Sequence, residues 1–127
     1  MIVGGENMSL KECYVCLGGD YEDVLGRLRS EKLVQKFVLK FLNDGSYDLL
    51  CKSLEAEDYE EAFRAAHTIK GVCQNLSFTR LYVSSNQLTE SLRQGWNPEA
   101  EELVKQVKAD YEQTVAAIHE LQKEIGS

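Results

Sequence analysis

His67 is the side chain in this sequence that is best placed to act as a nucleophile. Residues 64–76 read RAAHTIKGVCQNL, and their apolar members recur at steps of three and four, which is the pattern of a packed helix. At about 100° per residue, His67 points away from that apolar stripe. Arg64 and Lys70 lie one turn to either side, and Gly71 follows without a side chain. The spacing therefore predicts an exposed imidazole between two cations, where an anionic group can reach a ring nitrogen.

An imidazole in this setting is suited to accept a phosphoryl group. It is largely neutral at cytosolic pH and needs no adjacent general base, unlike a serine. Charge in phosphoryl transfer gathers on the equatorial oxygens, so positioning and positive charge supply most of the assistance. We expect Lys70 to provide that charge, while Arg64 and Gln74 either contact the phosphate or partner or are plain solvated side chains. Phe63 lies towards the same side and either packs under a short preceding helix or belongs to a docking patch.

The other histidine and the four cysteines do not form a comparable site. His119 lies beside the apolar stripe of the last predicted helix, where we expect a surface role. Cys13 and Cys16 have C-x-x-C spacing, but structural zinc needs a second ligand pair and a redox pair normally lies in a βαβ unit. Cys51 stands alone, and Cys73 falls on the core stripe. We therefore predict reduced thiols and no metal site.

The composition indicates a globular helical domain and disfavours a membrane or nucleic-acid partner. Of the 127 residues, 43% are hydrophobic and 28% charged, with a single proline. The net charge of −7 disfavours nucleic acid, because binding to phosphate backbones requires a basic surface. No run approaches the roughly 20 apolar residues of a membrane span, and residues 1–10 lack the regions of a signal peptide. We expect a monomeric, cytoplasmic protein.

Two short helices are predicted ahead of the longer ones. Ser9 begins the capping-box sequence S-L-K-E, which predicts a helix near residues 10–16. Asp20 is a suitable N-cap for a second short helix. We assign residues 1–19 to an N-terminal extension that includes the first of these helices, and residues 20–127 to the main domain.

Four longer helices follow, each with one apolar stripe. Ser30, Asp58 and Asn97 are suitable N-caps for the first, second and fourth, and Gly95 ends the third. The apolar residues of the last helix repeat over about six turns. Helices of this kind, joined by short links, predict an all-α fold, an antiparallel up-down four-helix bundle with short extra N-terminal helices.

The sequence N-D-G-S at residues 43–46 leaves one boundary open. Local rules favour a break, in which Ser46 caps a new helix, because these residue types are typical of a turn. However, an interior glycine such as Gly45 costs a helix only about 1 kcal/mol. One continuous helix of about 25 residues is therefore the alternative.

The sequence around His67 closely resembles the phosphoacceptor motif of histidine-containing phosphotransfer (HPt) domains. The similarity comprises A-H-T-I-K-G at residues 66–71, with R-A before it and N-L at residues 75–76. It extends to the length of the chain and the order of its helices, over roughly residues 20–124. HPt domains are helical bundles that relay phosphoryl groups between aspartates of receiver domains.

The resemblance implies a role for three residues. His67 matches the histidine that accepts and donates the phosphoryl group, Lys70 matches the basic residue that steadies the phosphate, and Gly71 matches the glycine that clears space for the partner's active site. The helix before the central one is usually continuous in the family, which would favour an unbroken helix at Gly45.

Two positions depart from the family pattern. Ser77 stands where members often have glycine, and Val72 with Cys73 replace the usual small Ser/Ala pair. We expect the first change to alter the turn and the second to alter packing, without an effect on the chemistry at His67.

The resemblance implies a phosphorelay intermediary without its own ATP or metal site. The sequence contains no Walker-type loop, kinase motif or carboxylate cluster for Mg²⁺, so the aspartate and the Mg²⁺ are expected in the partner. The expected partners are the receiver domain of a response regulator and a hybrid sensor histidine kinase. Two alternatives stay open: a helical docking module that is not phosphorylated, and the dimerisation and phosphoacceptor segment of a sensor kinase. Thr68 stands where that segment has an acidic residue.

Overall fold

The computed structural model describes residues 8–126, and helices account for nearly all of that range. In chain order the elements are α1 (Leu10–Leu17), α2 (Tyr21–Leu28), α3 (Glu31–Lys40), a 3₁₀ turn (Phe41–Asn43), α4 (Ser46–Glu55), α5 (Tyr59–Leu76), α6 (Thr79–Leu92) and α7 (Pro98–Gly126). No strand occurs between residues 8 and 126. The predicted all-α class is confirmed.

The longer helices form a bundle around α5. This helix packs against α4 on one side and α6 on the other, and α6 packs in turn on α7. The ring of Tyr47 on α4 stacks on that of Tyr111 on α7, with centroids 3.9 Å apart and planes at 10°, which closes the bundle. The inner face of α5 is buried, as its three- and four-residue spacing predicts; the buried residues are Ala62, Ala65, Ala66, Ile69, Cys73 and Leu76.

The chain breaks between α3 and α4. After the 3₁₀ turn, Asp44 has an extended backbone (φ −77°, ψ 124°), and its Oδ1 accepts a hydrogen bond from the Ser46 N–H at 2.8 Å. A short side chain that bonds the nearby backbone in this way competes with helical bonding. The break predicted by local rules is confirmed, and the continuous helix implied by the resemblance is wrong for this chain.

Helix α1 shares the hydrophobic core with the bundle. The capping box is formed, since the Glu12 N–H donates to Ser9 Oγ at 3.0 Å and the Ser9 N–H donates to Glu12 Oε1 at 2.8 Å. The helix packs against α7 and buries Tyr14 and Leu17 almost completely. It is thus a packed element of the fold. The first seven residues of the predicted N-terminal extension lie outside the described range.

Candidate functional site

His67 lies halfway along α5, on the side that faces solvent. The helix begins at Asp58, whose Oδ1 accepts a hydrogen bond from the Glu61 N–H at 3.1 Å and so satisfies a donor at the helix start. Ala66 and Ile69, on either side of the histidine in sequence, are buried, whereas the imidazole is exposed. Burial of the inner face therefore fixes the orientation of α5 about its axis. In this orientation the imidazole of His67 points to solvent.

The imidazole lies parallel to an aromatic ring one turn earlier. The ring centroids of Phe63 and His67 are 6.1 Å apart and their planes differ by 8°. The guanidinium carbon of Arg93, which directly follows α6, lies 5.3 Å from the centroid of the same Phe63 ring, within cation–π range. Phe63 is half-buried, so its ring links the phosphoacceptor candidate to α6.

Lys70 is the cation beside His67 that is not already paired. Within residues 8–126 it forms no ion pair, although it acts electrostatically on Glu90 of α6. The pKa of the Glu90 carboxyl is lowered, first by its hydrogen bonds from Arg93 at 2.7 and 3.2 Å and then by the neighbouring Lys70 and His67 side chains. The C-terminal end of α6 thus brings a carboxylate and a guanidinium close to the exposed side of α5 that carries His67. We call this side the histidine face.

Arg64 and Gln74 are both exposed, and they lie on opposite sides of His67 along the helix. The guanidinium of Arg64 forms ion pairs with Glu61 at 3.2 Å and Glu60 at 3.9 Å. Its charge is therefore largely balanced within its own helix. Gln74 lies two turns after His67. Of the residues singled out from the sequence, Phe63 contacts Arg93 just after α6, and Lys70 and His67 act on Glu90 of α6.

Gly71 leaves open space beside the imidazole. A Cβ atom added at this glycine would meet no heavy atom within 4 Å outside its own stretch of helix. The fold therefore does not require a glycine here, and an interior glycine costs a helix about 1 kcal/mol relative to alanine. Gly71 therefore has no packing role that only a glycine could fill within the described residues.

A model of the Hpt domain matches residues 39–117, from the end of α3 into α7, which is more than half of the chain. The chain belongs to the Hpt domain family. Hpt domains are phosphotransfer modules of two-component signalling that interact with receiver domains and kinases. No curated protein and no solved structure gave a match.

Two depressions of this Hpt domain are lined by residues of α5, one by its C-terminal part and the other by its N-terminal part. The first, which we call the apolar groove, has a volume of about 380 Å³ and lies between α2, α3 and α5; its lining includes Leu28, Phe37, Phe41, Val72, Asn75 and Leu76. The second, which we call the aromatic cleft, has a volume of about 410 Å³ and lies between the start of α5 and the end of α6; its lining includes Tyr59, Glu60, Phe63, Arg64, Leu92 and Arg93. His67 thus lies between the two depressions along the sequence of α5.

The C-terminal end of α5 is bonded to the two N-terminal helices. The last carbonyls of a helix have no partner within it. Here the Tyr14 hydroxyl donates to the Leu76 carbonyl at 2.7 Å, and Arg27 donates to the carbonyls of Gln74, at 3.4 Å, and Asn75. Burial raises the pKa of the Tyr14 hydroxyl, which keeps it protonated as a donor. Helices α1 and α2 therefore satisfy the end of the helix that bears His67.

Ser77 completes this arrangement. Its backbone is left-handed (φ 58°), as expected at a position where the family often has glycine. Its side chain also forms hydrogen bonds. Its Oγ donates to Asp23 Oδ2 at 2.6 Å and accepts from Arg27 at 3.1 Å. The Ser77 bond, followed by Arg27, lowers the pKa of the Asp23 carboxyl. We call Tyr14, Asp23, Arg27 and Ser77 the C-terminal clamp.

The remaining reactive side chains lie apart from this face. Cys13 and Cys73 are buried free thiols, and burial raises the pKa of Cys13 to about 12. Cys16 and Cys51 are exposed free thiols, and His119 is exposed on α7. Residues 8–126 contain no group of three or more His, Cys, Asp or Glu residues placed to hold a metal ion. None of the helices in the same range is long and apolar enough to cross a membrane.

Proposed function

We propose that His67 is the phosphoacceptor of a phosphorelay intermediary. It receives a phosphoryl group from a receiver-domain aspartate or a kinase, and it passes the group to the aspartate of another receiver. The observation that best supports this proposal is the exposed imidazole beside the unpaired ammonium of Lys70 and the open space at Gly71, in a chain of the Hpt family.

The proposed reaction needs a nucleophile and positive charge from this chain. A lone pair on a ring nitrogen of His67 attacks the phosphorus of an aspartyl phosphate. The N–P bond forms while the P–O bond to the aspartate breaks, and the aspartate leaves as a carboxylate. Transfer to the next receiver is the same reaction in reverse. Because the transition state is loose, placement and charge on the equatorial oxygens matter most. The receiver supplies the aspartate and its Mg²⁺.

The residues proposed to support phosphoryl transfer contribute to different extents. Lys70 contributes the main charge, because no carboxylate holds its ammonium group within the described residues. Arg64 contributes less, because Glu61 is 3.2 Å from its guanidinium. Gln74 contacts the phosphate or the receiver from two turns away. Phe63 orients the imidazole through the parallel arrangement of the two rings and borders the path of the partner.

The receiver approaches over Gly71, where no side chain of this domain occupies the space. The apolar groove adjoins that position through Asn75 and Val72, and its size and apolar lining suit a helix of the partner. We propose a monomer that acts in the cytoplasm, with the receiver domains of a response regulator and of a hybrid sensor histidine kinase as its partners.

Phosphoryl transfer from a phosphorylated receiver tests the proposal directly. The purified domain is incubated with the phosphorylated receiver and Mg²⁺, and acid-labile phosphate on the domain is measured. We expect His67→Gln to remain unlabelled, whereas the matched control His119→Gln is labelled like the wild type. Equal labelling of His67→Gln and wild type would contradict the assignment. Binding of the receiver without label on the wild type would favour the docking-module alternative.

A further inference from the structure

A second contact surface lies on the α6 side of His67, at the aromatic cleft together with Trp96. We infer that this surface determines which receiver the domain recognises, by taking an apolar side chain from a receiver loop that borders the phosphorylated aspartate. The inference rests on the proposed function, because it assumes that the receiver docks over His67.

Trp96 is exposed yet held in a fixed place. It is 42% exposed, and its ring stacks on that of Tyr59 with centroids 5.2 Å apart and planes at 23°. The loop that bears it is fixed by Asn97, whose Nδ2 donates to the Ser91 carbonyl at 2.9 Å and whose Oδ1 accepts from the Ala100 N–H at 3.1 Å. A large aromatic side chain that is ordered before binding loses little entropy on association, and tryptophan is enriched among residues that dominate binding energy.

The cleft falls within the area that a docked receiver covers. A specific interface buries about 800 Å² on each partner, which corresponds to a disc of about 16 Å radius. Tyr59 precedes His67 by two turns of α5, a distance of about 12 Å along the helix. Phe63 lines the cleft and also lies parallel to the His67 imidazole. A receiver centred on His67 therefore contacts the cleft, and the two surfaces are continuous through Phe63.

The cations that line the aromatic cleft are paired with carboxylates. The aromatic side chains of the cleft are therefore the main groups available to recognise a partner. The two cations in its lining are paired, Arg64 with Glu61 at 3.2 Å and Arg93 with Glu90 at 2.7 Å. Their fields largely cancel at the distance of a partner. An apolar side chain fits between the rings and the aliphatic stem of Arg93. The contribution of the cleft to affinity is therefore expected to depend only weakly on salt.

Intrinsic fluorescence gives a direct measurement, because Trp96 is the only tryptophan in the chain. Purified receiver domains from the source organism, chosen without tryptophan and charged with acetyl phosphate and Mg²⁺, are titrated against the domain. We expect the receiver with the fastest transfer to shift the Trp96 emission. Trp96→Ala is expected to raise the Kd of that complex at least about tenfold, with a similar ratio at low and high salt, and Trp96→Phe to retain most of the affinity. For Trp96→Ala, anisotropy of a dye-labelled receiver reports the Kd.

Controls separate this inference from the proposed function. Val83→Ala alters an exposed apolar side chain outside the cleft, 46% exposed on α6, and is expected to keep wild-type affinity. Phosphoramidate, a small donor that needs no docking, is expected to label His67 equally in the wild type, Trp96→Ala and Tyr59→Ala. If both cleft variants bind and accept phosphate from the receiver like the wild type, or if Val83→Ala weakens binding as much as they do, the cleft inference is wrong and the function stands. If neither phosphoramidate nor any receiver labels the wild type, the proposed function itself fails.

Discussion

Helix α5 is held differently at its middle and at its C-terminal end. At the middle, the imidazole of His67 is exposed and Gly71 leaves open space beside it. At the end, the C-terminal clamp bonds the last carbonyls and the left-handed Ser77 from two other helices. The inner face and the C-terminal end of the helix supply its order, so the outer face at mid-helix remains exposed.

The largest difference is expected between a substitution of His67, at the middle of α5, and a substitution of Tyr14, in the C-terminal clamp. His67→Gln is expected to abolish labelling by a phosphorylated receiver and to change the free energy of unfolding by less than about 0.5 kcal/mol, because the side chain is exposed. Tyr14→Phe is expected to lower that free energy by about 1–3 kcal/mol, because the Leu76 carbonyl loses its buried donor, and to leave labelling intact. Urea denaturation and phosphate labelling measure the two effects. A loss of labelling in Tyr14→Phe would show that the two regions are coupled.

The two cations that flank His67, Lys70 and Arg64, are expected to differ in how much they accelerate phosphoryl transfer. Lys70→Gln is expected to slow receiver-dependent phosphorylation by about tenfold to a hundredfold, because it removes a charge that forms no ion pair within residues 8–126. The matched control Arg64→Gln is expected to have an effect of less than about fivefold, because Glu61 already holds that guanidinium. Rapid-quench measurement of phosphohistidine gives both rates. Equal rates for the two variants would remove the distinction between the cations.

Gly71→Ala separates clearance from stability. The added methyl group has free space in the folded domain, so the free energy of unfolding is expected to rise by about 0.5–1 kcal/mol through helix propensity. The same methyl group would stand in the proposed path of the receiver, so transfer is expected to fall by about tenfold. Thermal denaturation and transfer rates are measured on the same sample. A variant that is more stable and fully active would show that the clearance at Gly71 is not used.

Ser77 tests the end region with a smaller effect. Ser77→Ala keeps the positive φ and loses the bonds to Asp23 and Arg27, so we expect a loss of about 1–2 kcal/mol. Ser77→Gly loses the same bonds but adopts the left-handed conformation without strain, so it should be about 1 kcal/mol more stable than Ser77→Ala. Urea denaturation compares the two. If alanine is as stable as glycine, the backbone conformation at this turn contributes little.

The smallest expected effect is a change in the pKa of the Glu90 carboxyl, which lies near His67. The pKa of the Glu90 carboxyl lies below its ordinary value in the folded state, mainly because Arg93 bonds the carboxylate. A lowered pKa contributes stability at pH values above the unfolded-state pKa, and this contribution is lost as the pH falls through the folded-state value. Carboxyl NMR titration should show Arg93→Gln raising the pKa of Glu90, with Lys70→Gln raising it less. No change in either variant would contradict the proximity of these charges.

Local patterns in the sequence were sufficient to predict the helices and the outward direction of His67. Periodicity within one helix fixes which residues share a face, so the buried stripe that includes Ala62 and Ile69 follows from spacing alone. The turn residues around Gly45 likewise predicted the break before α4, since Asp44 bonds its own neighbouring backbone.

Contacts between helices could not be predicted in the same way. Glu90 and Arg93 approach the histidine face because of how α6 crosses α5, and no spacing within either helix encodes that crossing. Their i,i+3 Glu/Arg spacing on an exposed face was the available signal, but it is common on helix surfaces. Asp110 and Thr114 were missed as core residues because they are polar. They are buried on α7, where the Thr114 hydroxyl donates to the Asp110 carbonyl at 2.8 Å.

The C-terminal clamp also has a consequence for the order of folding. Its bonds join residues far apart in the chain, at a sequence separation of 62 for Tyr14 and Leu76 and of 50 for Arg27 and Ser77. Contacts of such long sequence separation form only after large loops close, which slows folding. Helix nucleation near His67 needs no such closure. We therefore expect α5 to form outwards from its centre during folding, with the turn at Ser77 becoming ordered last, when the N-terminal helices dock.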